Sequence, residues 1–107
     1  MKYEIQITEK AEKDLAEAAD YIEFHLLNPK AAGDLLDQVE SEILALSSMP
    51  QKFKLVDDPV LHAWGIRFTM VKNYMVFFVI DEAAKTVHIL RFLYGKRDWI
   101  SILQSEP

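Results

Sequence analysis

Polar and apolar residues alternate from the start of the chain. Tyr3, Ile5 and Ile7 interleave with Lys2, Glu4, Gln6 and Thr8, the period of two that predicts a half-buried strand. The period then lengthens. Ala11, Leu15, Ala18, Ile22 and Leu26 recur at spacings of four, three, four and four. That makes one apolar stripe on a helix of about 18 residues. Thr8 is suited to cap this helix, and Glu9 and Glu12 favour the positive end of its dipole. Asn28 and Pro29 supply a second cap and a first-turn proline. Ala32, Leu35, Val39, Ile43 and Leu46 then line one helical face, widened by Leu36, until Ser47, Ser48 and Pro50 end it. The short break between the two stripes predicts an antiparallel helical hairpin. Residues 51–61 lose periodicity and read as a connection, with a turn at Asp57-Asp58-Pro59 and with Leu55, Val56 and Leu61 packing down on the core.

Strands dominate the rest. From His62 to Val71, Trp64, Ile66, Phe68 and Met70 take one face, and Arg67, Thr69 and Val71 the other. Lys72-Asn73 reads as a tight turn, with asparagine as the residue that tolerates a left-handed conformation. Tyr74 to Ile80 is nearly all apolar, as a central strand covered on both sides should be. A loop at residues 81–85 leads into a strand from Thr86 to Tyr94, Gly95 breaks it, and Trp99, Ile102 and Leu103 form the inner side of a short terminal helix. The order β-α-α-β-β-β predicts a single two-layer α+β domain over residues 1–107, with the hairpin on one face of a mostly antiparallel sheet. The first strand joins that sheet through a long crossover, beside a neighbour that periodicity alone does not name.

Composition narrows the function classes. The 107 residues contain no cysteine, which removes disulfides, thiol catalysis and thiolate metal sites together. No apolar run is long enough for a membrane span and no apolar leader opens the chain, so a cytoplasmic protein is expected. Net charge is −5, unsuited to general nucleic-acid binding, yet residues 62–107 alone hold six Lys/Arg against four Asp/Glu. A surface for phosphate or an acidic partner belongs in that half.

Two arginines stand out there. Arg67 and Arg91 interrupt apolar strands, where a guanidinium needs phosphate, carboxylate or solvent to receive it. Each reads either as a functional contact or as a structural pair. Tyr94 follows Arg91 by three residues, so strict alternation puts the two on opposite faces unless the strand twists or bulges. Its phenol suits phosphate positioning, base stacking or core closure. Lys96 and Arg97 add positive charge beside Arg91, and Lys72 and Asn73 are further phosphate candidates that turn geometry also explains. Of the histidines, His88 reads as packed, His62 as a weak acid–base candidate and His25 as part of the acidic half. No paired Glu/His metal motif, glycine-rich phosphate loop or serine elbow occurs, and no cofactor or metal is expected. Metal-independent RNA cleavage needs a base, arginine charge on the phosphate and a donor for the leaving oxygen. The arginines are present; no base is evident.

Asp14-Leu15 with Tyr21-Ile22, Pro29-Lys30-Ala31-Ala32 with Leu35-Leu36, and Gly65-Ile66-Arg67 form an ordered series. It continues with Asn73-Tyr74-Met75-Val76-Phe77-Phe78 and with Val87-His88-Ile89-Leu90-Arg91-Phe92-Leu93-Tyr94-Gly95-Lys96-Arg97. In order and spacing the series resembles the RelE/ParE toxins of type II toxin–antitoxin systems, closer to the ParE-like branch. The resemblance implies a growth-inhibiting toxin, associated with plasmid stabilization and held in a tight complex by a cognate antitoxin, through which the complex engages operator DNA. It leaves two targets open: DNA gyrase or another protein, and the translating ribosome with its mRNA. On the second, the residues carried over as catalytic are Arg67, Arg91 and Tyr94. As a partner or phosphate surface the set is Arg67, Lys72, Asn73, Arg91, Lys96 and Arg97. A third reading is an antitoxin-binding protein without toxicity.

Overall fold

The computed structural model describes residues 2–105. Strand β1 spans Glu4–Ile7 and leads directly into α1, Glu9–Asp20, whose start is capped by the Thr8 hydroxyl accepting the Ala11 N–H at 3.2 Å. The helix does not stop at Asp20. It widens into a π-helical stretch, Tyr21–His25, which continues the apolar stripe. Leu27 then adopts φ 52° and the Asn28 N–H reaches back to the Ile22 carbonyl, closing the helix end. Helix α2, Pro29–Ala45, begins as expected, with the Asn28 side chain accepting the Ala31 N–H and proline in the first turn.

The connection holds more structure than its composition suggests. A 3₁₀ turn covers Pro50–Lys52, and a short helix α3, Pro59–Ala63, is capped by Asp58. The predicted strand from His62 is therefore late in starting: β2 runs Arg67–Val71. His62 lies on α3, Trp64 is half exposed at its C-terminal end, and Gly65 turns the chain at φ 80°. Met70 points outward, while Thr69 and Val71 are buried. At the following turn the left-handed residue is Lys72 (φ 55°) rather than Asn73. Strands β3, Tyr74–Asp81, and β4, Thr86–Tyr94, and the short helix α4, Trp99–Gln104, agree with the pattern.

The sheet order is β1-β4-β3-β2. Strand β1 runs parallel to β4, and the other neighbours are antiparallel. The hairpin packs on one face through Ala11, Leu35, Val39, Ile43 and Leu46 against Val76, Phe78, Val87, Ile89 and Phe92. The opposite face is partly covered too: Val56, Leu61, Trp99 and Leu103 gather over Met75, Phe77 and Leu93. The mixed α+β class and the element order stand, with α3 and α4 adding partial cover to the second face. Among the described residues no helix is long and apolar enough to cross a membrane.

One irregularity positions the site. Phe78 pairs with Ile89 but Phe77 pairs with Arg91, so Leu90 is an extra residue in β4. After this bulge the alternation is reset: Val87, Ile89 and Phe92 all belong to the hairpin-side core, while Leu90 and Leu93 pack on the other side. Strand β1 stops at the same level, its last pair being Ile7 with Ile89. The C-terminal part of β4 thus extends beyond its parallel neighbour and lies beside α1.

Candidate functional site

The vacated edge of β4 is filled by side chains from the start of α1. The Thr8 hydroxyl donates to the Leu90 carbonyl at 3.0 Å. The Asp14 carboxylate accepts the Phe92 N–H at 3.0 Å, a backbone donor that a longer β1 would have satisfied. The same carboxylate receives Arg91 through two nitrogens, Nε at 2.6 Å and Nη2 at 2.9 Å, in a fork-on-fork pair. Arg91 is 15% and Asp14 8% exposed, so both charges are largely withdrawn from water and each is compensated by the other. Arg91 is thereby the residue that locks α1 to β4. Its partner was readable only in part: Asp14 lies three residues after Ala11 and four before Ala18, on the stripe that faces the core.

Arg67 is placed elsewhere. Strand β3 separates β2 from β4, about 10 Å between strand axes. The Arg67 guanidinium turns to the outer side, donating to the Phe53 carbonyl at 2.6 Å and the Gln51 carbonyl at 3.1 Å. With the bridge between Leu55 and Arg67, it pins the connection against the edge strand. Arg67 and Arg91 therefore do not converge on one point.

The remaining sequence candidates do meet. The Gly95 N–H donates to the Asn73 carbonyl at 2.8 Å, which brings the β2–β3 turn, with Lys72 and Asn73, against the segment carrying Tyr94, Lys96 and Arg97. A Cβ at Gly95 would stand 3.2 Å from the Asn73 carbonyl oxygen, so the close approach favours glycine. Asp98, the acid in this basic run, caps α4 by accepting the Ser101 N–H. Lys72, Asn73, Tyr94, Lys96 and Arg97 are all exposed.

Between this end of the sheet and α1 runs a groove of about 720 Å³. Its lining includes Asp14, Glu17, Tyr21, Tyr74, Tyr94 and Arg97. Tyr74 stacks on Phe92 (centroids 4.7 Å apart) and meets Tyr94 edge-on at 5.6 Å. Burial raises the Tyr74 pKa, and the phenols of Tyr94 and Tyr21 raise it further. The bulge settles the relation between Arg91 and Tyr94: Tyr94 lines the groove, and Arg91 is bound to the Asp14 that lines it too. Glu17, Tyr21 and Tyr74 were missed at the sequence level; Glu17 and Tyr21 are one turn and two turns after Asp14.

The histidines stand apart. His62 faces the Val56 carbonyl at 3.0 Å, His25 stacks on Tyr21, and His88 is half-buried within β4 opposite Val79. None is hydrogen-bonded to either arginine. A phosphate-cleaving centre needs positive charge converging on one oxygen and a base in reach of a proton; here the arginines are divided between two edges of the sheet.

A helical hairpin lies on a sheet in which the first strand joins the last, with a tyrosine–arginine end beside the hairpin. Residues 5–99 match the family model of the ParE toxin of type II toxin–antitoxin systems, parDE, and the chain belongs to that family. No functionally curated protein matches it by sequence. Solved structures match over nearly the whole chain. One is a chain of the chromosomal ParDE system from P. aeruginosa, with TM-score 0.72, 18% identity, and 88% of this chain and 97% of that one covered. Another is a mutant of the E. coli toxin RelE in the free state, with TM-score 0.64, 11% identity, and coverages of 95% and 93%. The archaeal RelE–RelB complex from Pyrococcus horikoshii gives TM-score 0.57 at 19% identity, with coverages of 91% and 99%. At these identities the structural likenesses establish the fold, and the family match establishes a toxin of a type II system.

Proposed function

We propose that this toxin is neutralised in the cytoplasm by a cognate antitoxin and arrests growth by binding a protein target, DNA gyrase, rather than by cutting RNA. The observation that carries the choice is the Asp14–Arg91 pair. An arginine held by a carboxylate through two nitrogens, with contacts of 2.6 and 2.9 Å, is neutralised before any phosphate arrives. Arg67, the second charge a nuclease would need, is engaged by two backbone carbonyls. The exposed charge that remains is on Lys72, Lys96 and Arg97, of which Arg97 lines an aromatic groove, and the combination suits a protein surface. Growth arrest, and plasmid retention where the pair is plasmid-borne, follow from this reading, as does contact with operator DNA through the antitoxin.

The test sets two assays side by side. Purified protein added to gyrase and relaxed plasmid should abolish supercoiling, while a defined message on translating ribosomes should stay intact. Cleaved message that Arg91→Ala protects, with normal supercoiling, would establish the ribosome-dependent nuclease instead. If induction does not slow growth but the antitoxin still binds, the chain is an interaction protein without toxicity.

A further inference from the structure

The groove between α1 and the end of β4 holds polar groups that the fold does not use. Asp14 is consumed by Arg91 and the Phe92 N–H. The Glu17 carboxylate, the Arg97 guanidinium and the hydroxyls of Tyr21, Tyr74 and Tyr94 have no hydrogen-bond or ion-pair partner among the described residues. Glu17 and Tyr21 from the helix side, Tyr74 and Tyr94 from the sheet side, and the apolar Phe92 and Ile22 in the same lining make a cation-accepting environment: the aromatic rings attract positive charge and Glu17 supplies its counter-charge. The rings are already fixed, Tyr74 by its stack on Phe92 and by its edge contact with Tyr94, so little ordering remains at the moment of binding. Arg97 lines the same groove and offers a partner to an acidic group of the same segment.

We infer that this groove is a docking site for a segment of a partner protein that presents a lysine or arginine among apolar side chains, the cation seated between Glu17 and the tyrosines. Charge and shape together select this occupant. A nucleic-acid strand would bring phosphate against Glu17. A purely apolar segment would leave Glu17 facing it without compensation. The half-exposed Tyr21 and Leu26, at 51% and 57%, extend the apolar wall outward along the hairpin, in line with a segment that continues past the groove. This inference rests on the reading of the chain as a protein that acts through protein partners, and adds the site and the chemistry of one of them.

The probe is a pair of end-capped pentapeptides, Leu-Arg-Leu-Lys-Leu and its counterpart Leu-Glu-Leu-Glu-Leu, titrated into the isotope-labelled full-length protein while amide NMR shifts are followed. The basic peptide should move the amides of Glu17, Tyr21, Phe92 and Tyr94 with a dissociation constant below about 1 mM. The acidic peptide should leave them in place. Glu17→Lys, an exposed change that leaves the core intact, should weaken the basic peptide at least tenfold, and Tyr94→Ala should do the same. Equal binding of the acidic peptide, shifts confined to the Ile7 and Leu44 side of the hairpin, or no shifts at millimolar peptide would overturn the inference. A short oligonucleotide that moves the same amides more strongly would overturn it as well. The supercoiling and growth assays report on the toxin reading separately, since neither uses the peptides.

Discussion

At the level of single residues, the ion pair between Asp14 and Arg91 has the largest energetic consequence. Both groups are nearly buried, and Asp14→Ala takes away the carboxylate that receives Arg91 and the acceptor of the Phe92 N–H together. Chemical denaturation of Asp14→Ala should show a loss of about 3–5 kcal/mol. A loss below about 1 kcal/mol would mean that the pair is solvated and exchangeable. Glu82 provides a pH handle. Its carboxylate accepts from the Tyr3 hydroxyl at 2.7 Å and from the Gln51 amide at 2.9 Å. These bonds, with a smaller effect from Lys85, hold its pKa below the usual 4.5. A carboxylate depressed in the folded state stabilises fully above its unfolded pKa and loses that contribution as pH falls through the folded value. The gap in urea midpoint between the natural protein and Glu82→Gln should therefore be constant near neutrality and close on acidification below the usual carboxylate range; a gap unchanged by pH would contradict the assignment. The sequence exposes Arg91 because a charge in an apolar strand is costly. It does not expose the partner directly, because Asp14 and Arg91 are 77 residues apart and only the fold makes them neighbours.

At the level of elements, local signals worked where periodicity and punctuation agreed. Asn28-Pro29 and Thr8 do start helices, and β3 and β4 follow the apolar runs. Asp58-Pro59 carries the same cap-plus-proline signal as Asn28-Pro29, and it opens α3. Read as a turn, Asp57-Asp58-Pro59 hides that helix, and the alternation of Trp64, Ile66 and Phe68 sets the expected strand start too far upstream. The bulge in β4 has no such local mark; it is visible only once Phe77 and Phe78 are seen to pair with Arg91 and Ile89. The hairpin tip offers a test of helix termination. Leu27 is 81% exposed and holds φ 52°, a conformation that costs an ordinary L-residue about 1–2 kcal/mol. Leu27→Gly should therefore raise stability by about 0.5–1 kcal/mol, part of the relief being offset by the greater freedom of glycine in the unfolded chain. A thermal midpoint that falls would show that the exposed leucine makes contacts that outweigh its strain.

For the whole molecule, class and element order were legible from pattern alone, whereas topology was not, since nothing local to residues 4–7 says which strand they will join. The second face of the sheet was likewise underestimated, because α3 and α4 are short and their apolar residues are few. Leu103 is nevertheless 4% exposed, and Leu103→Ala should cost at least about 2 kcal/mol by opening the cover over Phe77 and Leu93. An unchanged denaturation midpoint would show that α4 is dispensable to the fold. The parallel pairing of β1 with β4 also orders events during synthesis. Glu4 waits for Thr86 and Ile7 for Ile89, so a nascent chain has no sheet partner for its first strand until residues 86–89 have been made. The Asp14–Arg91 lock closes later still. Local helix formation in the hairpin can come early in synthesis, but the finished surface comes late, because it depends on closing a loop of about 80 residues. A message truncated before the codon for Thr86 would consequently yield no active fragment, and a partner can meet the folded protein only once β4 has been made.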